Sequence, residues 1–243
     1  MNLVVDVGNT FVKLAVFQDH DMVFKTVVEL QAFQHAFETI LETYPKIDAC
    51  ILSSVGNLHD LALKQLKKRL PMVVLNSETK MPFKNLYGTP KTLGVDRLAL
   101  VSAASAQFSG KDVLVIDAGT CITYDFITKE NSYLGGAISP GLRMRYQALN
   151  NLTAHLPLLD TKRPDHFIGQ STEQAIHSGV VFGVLNEMEG VIEAYKEKYS
   201  DLTVILTGGD ANFLSKQLKS SIFANSNFLL EGLNHILQFN STE

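Results

Sequence analysis

The sequence predicts an α/β protein of two related halves, each opening with a strand–turn–strand unit, and three observations carry that prediction. Residues 4–8 read VVDVG and residues 115–119 read VIDAG, so the same pattern recurs 111 positions later (115 − 4). Strand-like apolar runs alternate with stretches of helical spacing along the chain, the pattern of layered α/β domains. The 243 residues, 46% hydrophobic and 19% charged, are enough to bury a substantial core as one large domain or two small ones. The echo sets the boundary near residue 110, giving halves 1–110 and 111–243. It leaves open whether the last helix packs back on the first half.

The elements follow in order. Three Val- and Phe-rich runs at 2–7, 11–17 and 22–28 read as a hairpin or meander, the first two parted by the turn-like Gly8-Asn9-Thr10. Leu30, Phe33, Phe37, Ile40, Leu41 and Tyr44 recur at helical spacing until Pro45. A short buried strand at 49–54 precedes a second helix marked by Leu58, Leu61, Leu66 and Leu70 and stopped by Pro71. After a strand at 72–75, residues 76–90 are polar and broken by Pro82, Gly88 and Pro90, which predicts a long loop of the kind that often carries function. A helix runs from near Gly94 to about Phe108. In the second half, strands are expected at 113–116, 121–127 and 132–138, the longest helix over about 172–199 and a buried strand at 202–206. Thr207-Gly208-Gly209-Asp210 and two more helical stretches close the pattern.

Charge and cysteine usage exclude several classes. A net charge of −4 with no basic stripe argues against nucleic acid or an anionic membrane as partner. Two cysteines, Cys50 and Cys121, make neither a disulfide framework nor a Cys-rich zinc site. The opening MNLVVDVGNT lacks the features of a secretory signal, and no apolar run is long enough to span a bilayer, so a cytoplasmic location is expected.

The Asp-x-Gly turns suggest chemistry. Glycine lets a ligand approach the backbone closely, and concave sets of N–H groups at a turn bind anions. Asn9 and Thr10 in one copy, Thr120 and Thr123 in the other, add side-chain donors. Asp6 and Asp117 each set a carboxylate beside that anion, suited to a cation or its waters. Phosphate with metal is the natural ligand. One Asp-x-Gly is ordinary turn chemistry; two, each heading an α/β half, point to a site. The P-loop, dinucleotide, nucleophile-elbow and zinc-protease motifs do not occur.

Between the turns, Tyr87-Gly88-Thr89-Pro90 is followed by Leu93-Gly94-Val95-Asp96-Arg97 at the head of a helix. A helix N-terminus favours a nearby anion. Asp96 is a candidate general base for a hydroxyl, and the planar fork of Arg97 could hold a carboxylate. The local pattern alone is equally met by a helix-opening Asp with its Arg on the solvated face.

The paired turns with Thr207-Gly208-Gly209 resemble the actin and hexokinase superfamily. DVGNT at 6–10, YGTPKTLGVDR at 87–97, DAGTCIT at 117–123, GGAISPG at 135–141, Ser171-Thr172 with Ala175, Ile176 and Gly179, and TGGDA at 207–211 stand in the order of type III pantothenate kinases. The resemblance covers residue 2 to about 211. It implies two related actin-like (ribonuclease H-like) domains with mixed sheets flanked by helices. It further implies transfer of the γ-phosphoryl group of ATP to the hydroxyl of pantothenate, the first step toward coenzyme A.

By the same resemblance Asp96 is the catalytic base, and Tyr87, Gly94, Val95, Asp96, Arg97 and Thr172 bind pantothenate. Asp6, Val7, Gly8, Asn9, Thr10, Phe11, Val12 and Lys13 form the first phosphate loop, with Asp6 near the divalent metal, Mg2+. Thr120 contacts the phosphates, and Asp117 binds a monovalent cation, K+ or NH4+. Thr172 reaches substrate across a homodimer interface. Whether Lys13 faces ATP or solvent stays open, and Cys121, where many relatives carry alanine, reads as packing. Two rival readings remain: another phosphotransferase or phosphohydrolase of the superfamily, which would not need Tyr87, Asp96 and Arg97, and a nucleotide-sensing regulator.

Overall fold

The computed structural model describes residues 1–8, 11–54 and 67–241, and the chain divides into two compact units. Each holds a mixed sheet flanked by helices. The helix expected through Leu58, Leu61 and Leu66 lies outside the described residues. Elements are numbered in chain order.

The first unit comprises residues 1–109, 131–133 and 227–243. Strands β1 (Asn2–Val7), β2 (Phe11–Gln18) and β3 (Asp21–Glu29) form the antiparallel meander. Parallel strands β4 (Ala49–Ser54) and β5 (Met72–Val74) extend it to the order β3-β2-β1-β4-β5. Helices α1 (Phe33–Thr43), α2 (Val95–Gln107) and α6 (Phe228–Ser241) flank it.

β1 is buried from Leu3 to Val7, as a central strand covered on both faces should be. Successive side chains of a strand point to opposite faces, and that parity sorts the core. Leu3, Val5 and Val7, with Val12 and Leu14 of β2, pack against Phe33, Phe37 and Ile40 of α1. Val4, with Ala15 and Phe17, packs instead with Ala99 of α2 and Leu230, Leu233 and Ile236 of α6. Asp6 shares the parity of Val4 and so falls on the α2 face. α6 lies close against α2: a Cβ on Gly232 would sit 1.8 Å from the Ala99 carbonyl oxygen.

The segment expected to be wholly loop, 76–90, carries a two-residue strand, β6 (Lys84–Asn85), which pairs in parallel with Ser132 and Tyr133. So short a strand leaves no periodicity to read.

The second unit comprises residues 110–130 and 134–226. Here β7 (Asp112–Ala118) pairs antiparallel with β8 (Cys121–Ile127) and parallel with β10 (Leu202–Thr207), which in turn pairs with β11 (Phe223–Ala224). With β9 (Ser132–Pro140), which carries β6 on its outer edge at Ser132 and Tyr133, the order is β9-β8-β7-β10-β11. That is the first unit's order with six added to every strand number, so the VVDVG/VIDAG echo marks a repeat of whole-sheet topology. Helices α3 (Leu142–Asn151), α4 (Thr172–Lys198) and α5 (Ala211–Ser215) complete it. Leu114, Ile116 and Ala118 with Ile122, Tyr124 and Phe126 face Leu142, Tyr146, Ile176, Val180 and Val184. Asp117 and Thr123 have the other parity and lie on the opposite face of the sheet. α3 and β11 are additions to the expected elements: α3 reads LRMRYQALNN and buries only Leu142 and Tyr146, too few apolar positions to mark a face.

Candidate active site

In the first unit Asp6 stands at the penultimate position of β1, directly opposite Lys13 of β2 and beside Ser53 of β4. Lys13 Nζ donates to Asp6 Oδ2 at 3.1 Å, so its ammonium is turned toward Asp6. Burial pushes the Asp6 carboxyl above the ordinary aspartate range; the Lys13 charge and hydrogen bond pull it back, and the negative charge of Asp96 adds to the rise. Ser53 is buried, and its Oγ has no hydrogen-bond partner among the described residues.

The Gly8 amide donates to the Phe11 carbonyl at 3.0 Å and is thereby engaged within the protein. Asn9 and Thr10 lie outside the described residues. Val7 and Val12 are core residues, while Phe11 is half-exposed.

The start of α2 brings the second group together. Gly94 is its N-cap and Asp96 sits in the first turn. The Asp96 carboxylate folds back to accept from the Arg97 amide at 2.9 Å. This fold-back is why position 94 is glycine, since a Cβ there would meet Asp96 Oδ1 at 2.4 Å. Arg97 departs from the solvated-face alternative: it is 4% exposed, with its guanidinium carbon 5.5 Å from the Tyr87 ring centroid.

Tyr87 stacks on Tyr133 at 6.0 Å and 16°, and Tyr133 meets Phe83 edge-on at 6.1 Å. A ring face over a desolvated cation is a favourable electrostatic contact. Tyr133, which backs Tyr87, was not among the sequence candidates; it lies 46 residues further on (133 − 87), and local spacing carries no sign of it. Asp6, Lys13, Tyr87, Gly94, Val95, Asp96 and Arg97 all belong to this unit.

In the second unit Asp117 occupies the position in β7 that Asp6 holds in β1. Its neighbours are Thr123 on β8 and Thr207 on β10. Thr123 Oγ1 is buried with no hydrogen-bond partner among the described residues, and Thr207 is buried. The Thr207-Gly208-Gly209-Asp210 turn presses onto the same strand end, with the Asp210 amide donating to the Ala118 carbonyl at 2.9 Å. Gly208 has φ +97°, and a Cβ there would lie 2.3 Å from Asp117 Oδ1 and from the Ala118 oxygen, so only glycine fits.

A carboxylate between two hydroxyls, one of them orphaned, is an all-oxygen donor set that fits a hard monovalent cation. At Asp6, one carboxylate with phosphate oxygens is how magnesium is usually held. Among the described residues no three His, Cys, Asp or Glu side chains cluster as a metal cage.

The Gly119 amide donates to Cys121 O at 2.9 Å, and Thr120 O accepts from the Gly141 amide at 3.1 Å. Thr120 itself is exposed. Cys121 Sγ lies 3.9 Å from Met144 Sδ, a packing contact.

Thr172 is the exposed first residue of α4, next to the N-cap Ser171, whose hydroxyl accepts from the Gln174 amide at 3.2 Å. It lines an apolar groove of about 840 Å³ between α3 and α4, with Leu149, Leu152, Leu156, Ile176 and Val180.

The family model for type III pantothenate kinase matches residues 2–194. A type III pantothenate kinase from Christiangramia forsetii is 52% identical over 243 residues, covering 100% of both chains. Among solved structures, a Campylobacter jejuni protein described as of the Baf family of transcriptional activators aligns with TM-score 0.62 at 22% identity over 99% of this chain and 100% of that one. A ROK hexokinase from Thermus thermophilus aligns with TM-score 0.57 at 12% identity over 98% and 99%. At such identities the structural likeness speaks to the fold, that of the actin and hexokinase superfamily.

Proposed function

The chain belongs to the type III pantothenate kinases and phosphorylates pantothenate with ATP as the first step of coenzyme A biosynthesis; from that premise we propose which of its residues do the work. Asp96 is the general base. An alcohol is a poor nucleophile at neutral pH, and a carboxylate accepting its proton as the phosphorus–oxygen bond forms is worth about 10²–10⁴-fold. Arg97 holds the carboxylate of pantothenate, its guanidinium kept desolvated beneath Tyr87, while Gly94 and Val95 shape the floor. Attack on the γ-phosphorus is in line, and the leaving group is ADP.

One observation carries this reading best: Asp96 sits in the first turn of α2 beside a buried arginine, Arg97, whose guanidinium carbon lies 5.5 Å from the Tyr87 ring centroid, so a carboxylate base and a carboxylate-binding cation stand side by side at one helix start.

The first turn, Asp6 to Lys13, and Thr120 of the second hold the ATP phosphates; Val7 and Val12 contribute through backbone alone. Asp6 would hold magnesium, which would supply positive charge to the phosphates. Asp117, with Thr123 and Thr207, would hold K+ or NH4+, supplying positive charge to the second turn. The groove between α3 and α4 takes a second copy of this chain, with Thr172 reaching the partner's pantothenate. Leu152, 83% exposed, supports a covered face there. We expect a cytoplasmic homodimer.

The test is ADP release by the purified protein with ATP, magnesium and pantothenate, in potassium and then in sodium alone. Turnover that needs potassium supports the Asp117 assignment; equal rates in both salts overturn it. Asp96→Asn should bind ATP and fold normally while losing turnover by about 10³-fold. Wild-type turnover in that variant would remove Asp96 from its role.

A further inference from the structure

The mechanism above uses the second turn but does not explain what holds it. Gly141 lies directly beneath that turn: its amide donates to Thr120 O at 3.1 Å, and a Cβ on it would come within 2.1 Å of the Gly119 oxygen. The two residues before Gly141 are gripped by a single side chain. Arg145 Nε donates to the Pro140 carbonyl at 2.9 Å, and its Nη2 donates to Ser139 Oγ at 3.0 Å. Arg145 also donates its own amide to the Gly141 carbonyl at 3.1 Å.

The guanidinium is fixed from behind by Glu187 of α4. Arg145 Nη2 donates to Glu187 Oε2 at 2.5 Å, and the buried Tyr124 hydroxyl donates to Glu187 Oε1 at 3.0 Å. Burial opposes the Glu187 charge, yet the hydrogen bonds from Arg145, Ser139 and Tyr124 and the Arg145 charge together hold its carboxyl below the usual glutamate range. The network is thus a charged anchor running from β8 and α4 through Arg145 to the backbone that supports Thr120. A planar fork with fixed N–H directions suits this task; a lysine ammonium cannot reproduce all its contacts.

We propose that Arg145 is a positioning residue for phosphoryl transfer, fixing the 139–141 backbone so that Thr120 meets the ATP phosphates in reactive geometry. The inference rests on the reading that this turn holds phosphates. Small displacements of such donors are costly, because their benefit comes from being aimed before the substrate arrives.

The test measures KM for ATP, KM for pantothenate, kcat and thermal unfolding for Arg145→Ala, Arg145→Lys and Thr120→Val. Arg145→Ala is expected to raise KM for ATP about tenfold and lower kcat, with KM for pantothenate within about twofold of wild type. Arg145→Lys should fold as wild type and fall between the two. Arg145 also lines the groove beside Thr172, so weakened pairing of subunits would instead raise KM for pantothenate. That pattern overturns the proposal, as does an unchanged KM for ATP in Arg145→Lys together with a folded, unchanged Arg145→Ala. If Arg145→Ala does not fold, Arg145→Lys alone decides by the same split. Thr120→Val keeps the phosphate reading separate: should it leave ATP kinetics untouched, the turn does not hold phosphates and the proposal falls with that reading, whatever Arg145 does.

Discussion

Asp6 and Asp117 end equivalent strands of a repeated sheet, and the difference between them comes from one residue of turn. Three residues separate β1 from β2, whereas two separate β7 from β8. Pairing is therefore shifted by one position relative to the sequence echo. Asp6 faces the residue seven places on, Lys13, and Asp117 faces the residue six places on, Thr123. A shift of one would flip every side chain to the other face if the turn did not absorb it. With it absorbed, the structure makes Thr123 the counterpart of Lys13. The first carboxylate is met by a built-in ammonium, the second by a hydroxyl. On the proposed reading, the second site would take from solution the positive charge that the first site carries in its own chain.

The most severe break of the comparison is Asp6→Asn, expected to cut turnover by about 10³-fold in ADP-release assays. The same variant should be more stable. Burial raises the folded-state pKa of Asp6 above its unfolded value, so its contribution to stability is present at low pH and lost as pH rises through the folded value. The amide escapes that loss. Asp6→Asn should melt above wild type at pH 7, with the gain shrinking toward acid; a melting temperature below wild type at pH 7 would contradict the assignment.

Next in size, Thr123→Lys places an ammonium where the first unit has one. Its turnover in sodium alone should approach its turnover in potassium, a collapse of about tenfold in cation dependence. An undiminished requirement for potassium would break the equivalence of Thr123 and Lys13.

Lys13→Met removes the two influences that lower the Asp6 pKa. The acid limb of its pH–rate profile should then move to higher pH, with a smaller loss of rate at pH 8 than at pH 6. The finest contrast lies in the two glycines. A Cβ on Gly8 would sit 3.2 Å from Phe11 O, but one on Gly119 would have 4.0 Å to Cys121 O. Gly119→Ala should cost under about 0.5 kcal/mol in denaturant unfolding, and Gly8→Ala about 1 kcal/mol.

The sequence was most legible where periodicity was long. β1, β4 and β8 run over the residues their apolar patterns mark, and α2 and α4 end within a residue or two of expectation. The polar α3 and the two-residue β6 and β11 were not legible, because their stability comes from neighbours rather than from their own pattern. The same holds for the site. Asp6, Asp96, Arg97 and Asp117 stand out by motif. The burial of Arg97 under Tyr87 does not, nor do the Tyr133 backing, the hydroxyls of Ser53 and Thr207 beside the aspartates, or the Arg145–Glu187 anchor. Each of these joins strands and helices distant along the chain, and only the topology brings them together.

The return of α6 to the first unit has a consequence for how the protein is made. On a ribosome the β1–β5 sheet and α2 emerge first, but the apolar face they present to Leu230, Leu233 and Ile236 stays uncovered until the whole second unit has been synthesised. The helix that carries Asp96 in its first turn is therefore seated last, by a segment translated more than a hundred residues later. A nascent chain stalled anywhere in the second half would carry Asp96 on an unfinished scaffold, so premature termination is expected to yield chains with an uncovered apolar face, fit for proteolysis rather than for partial activity.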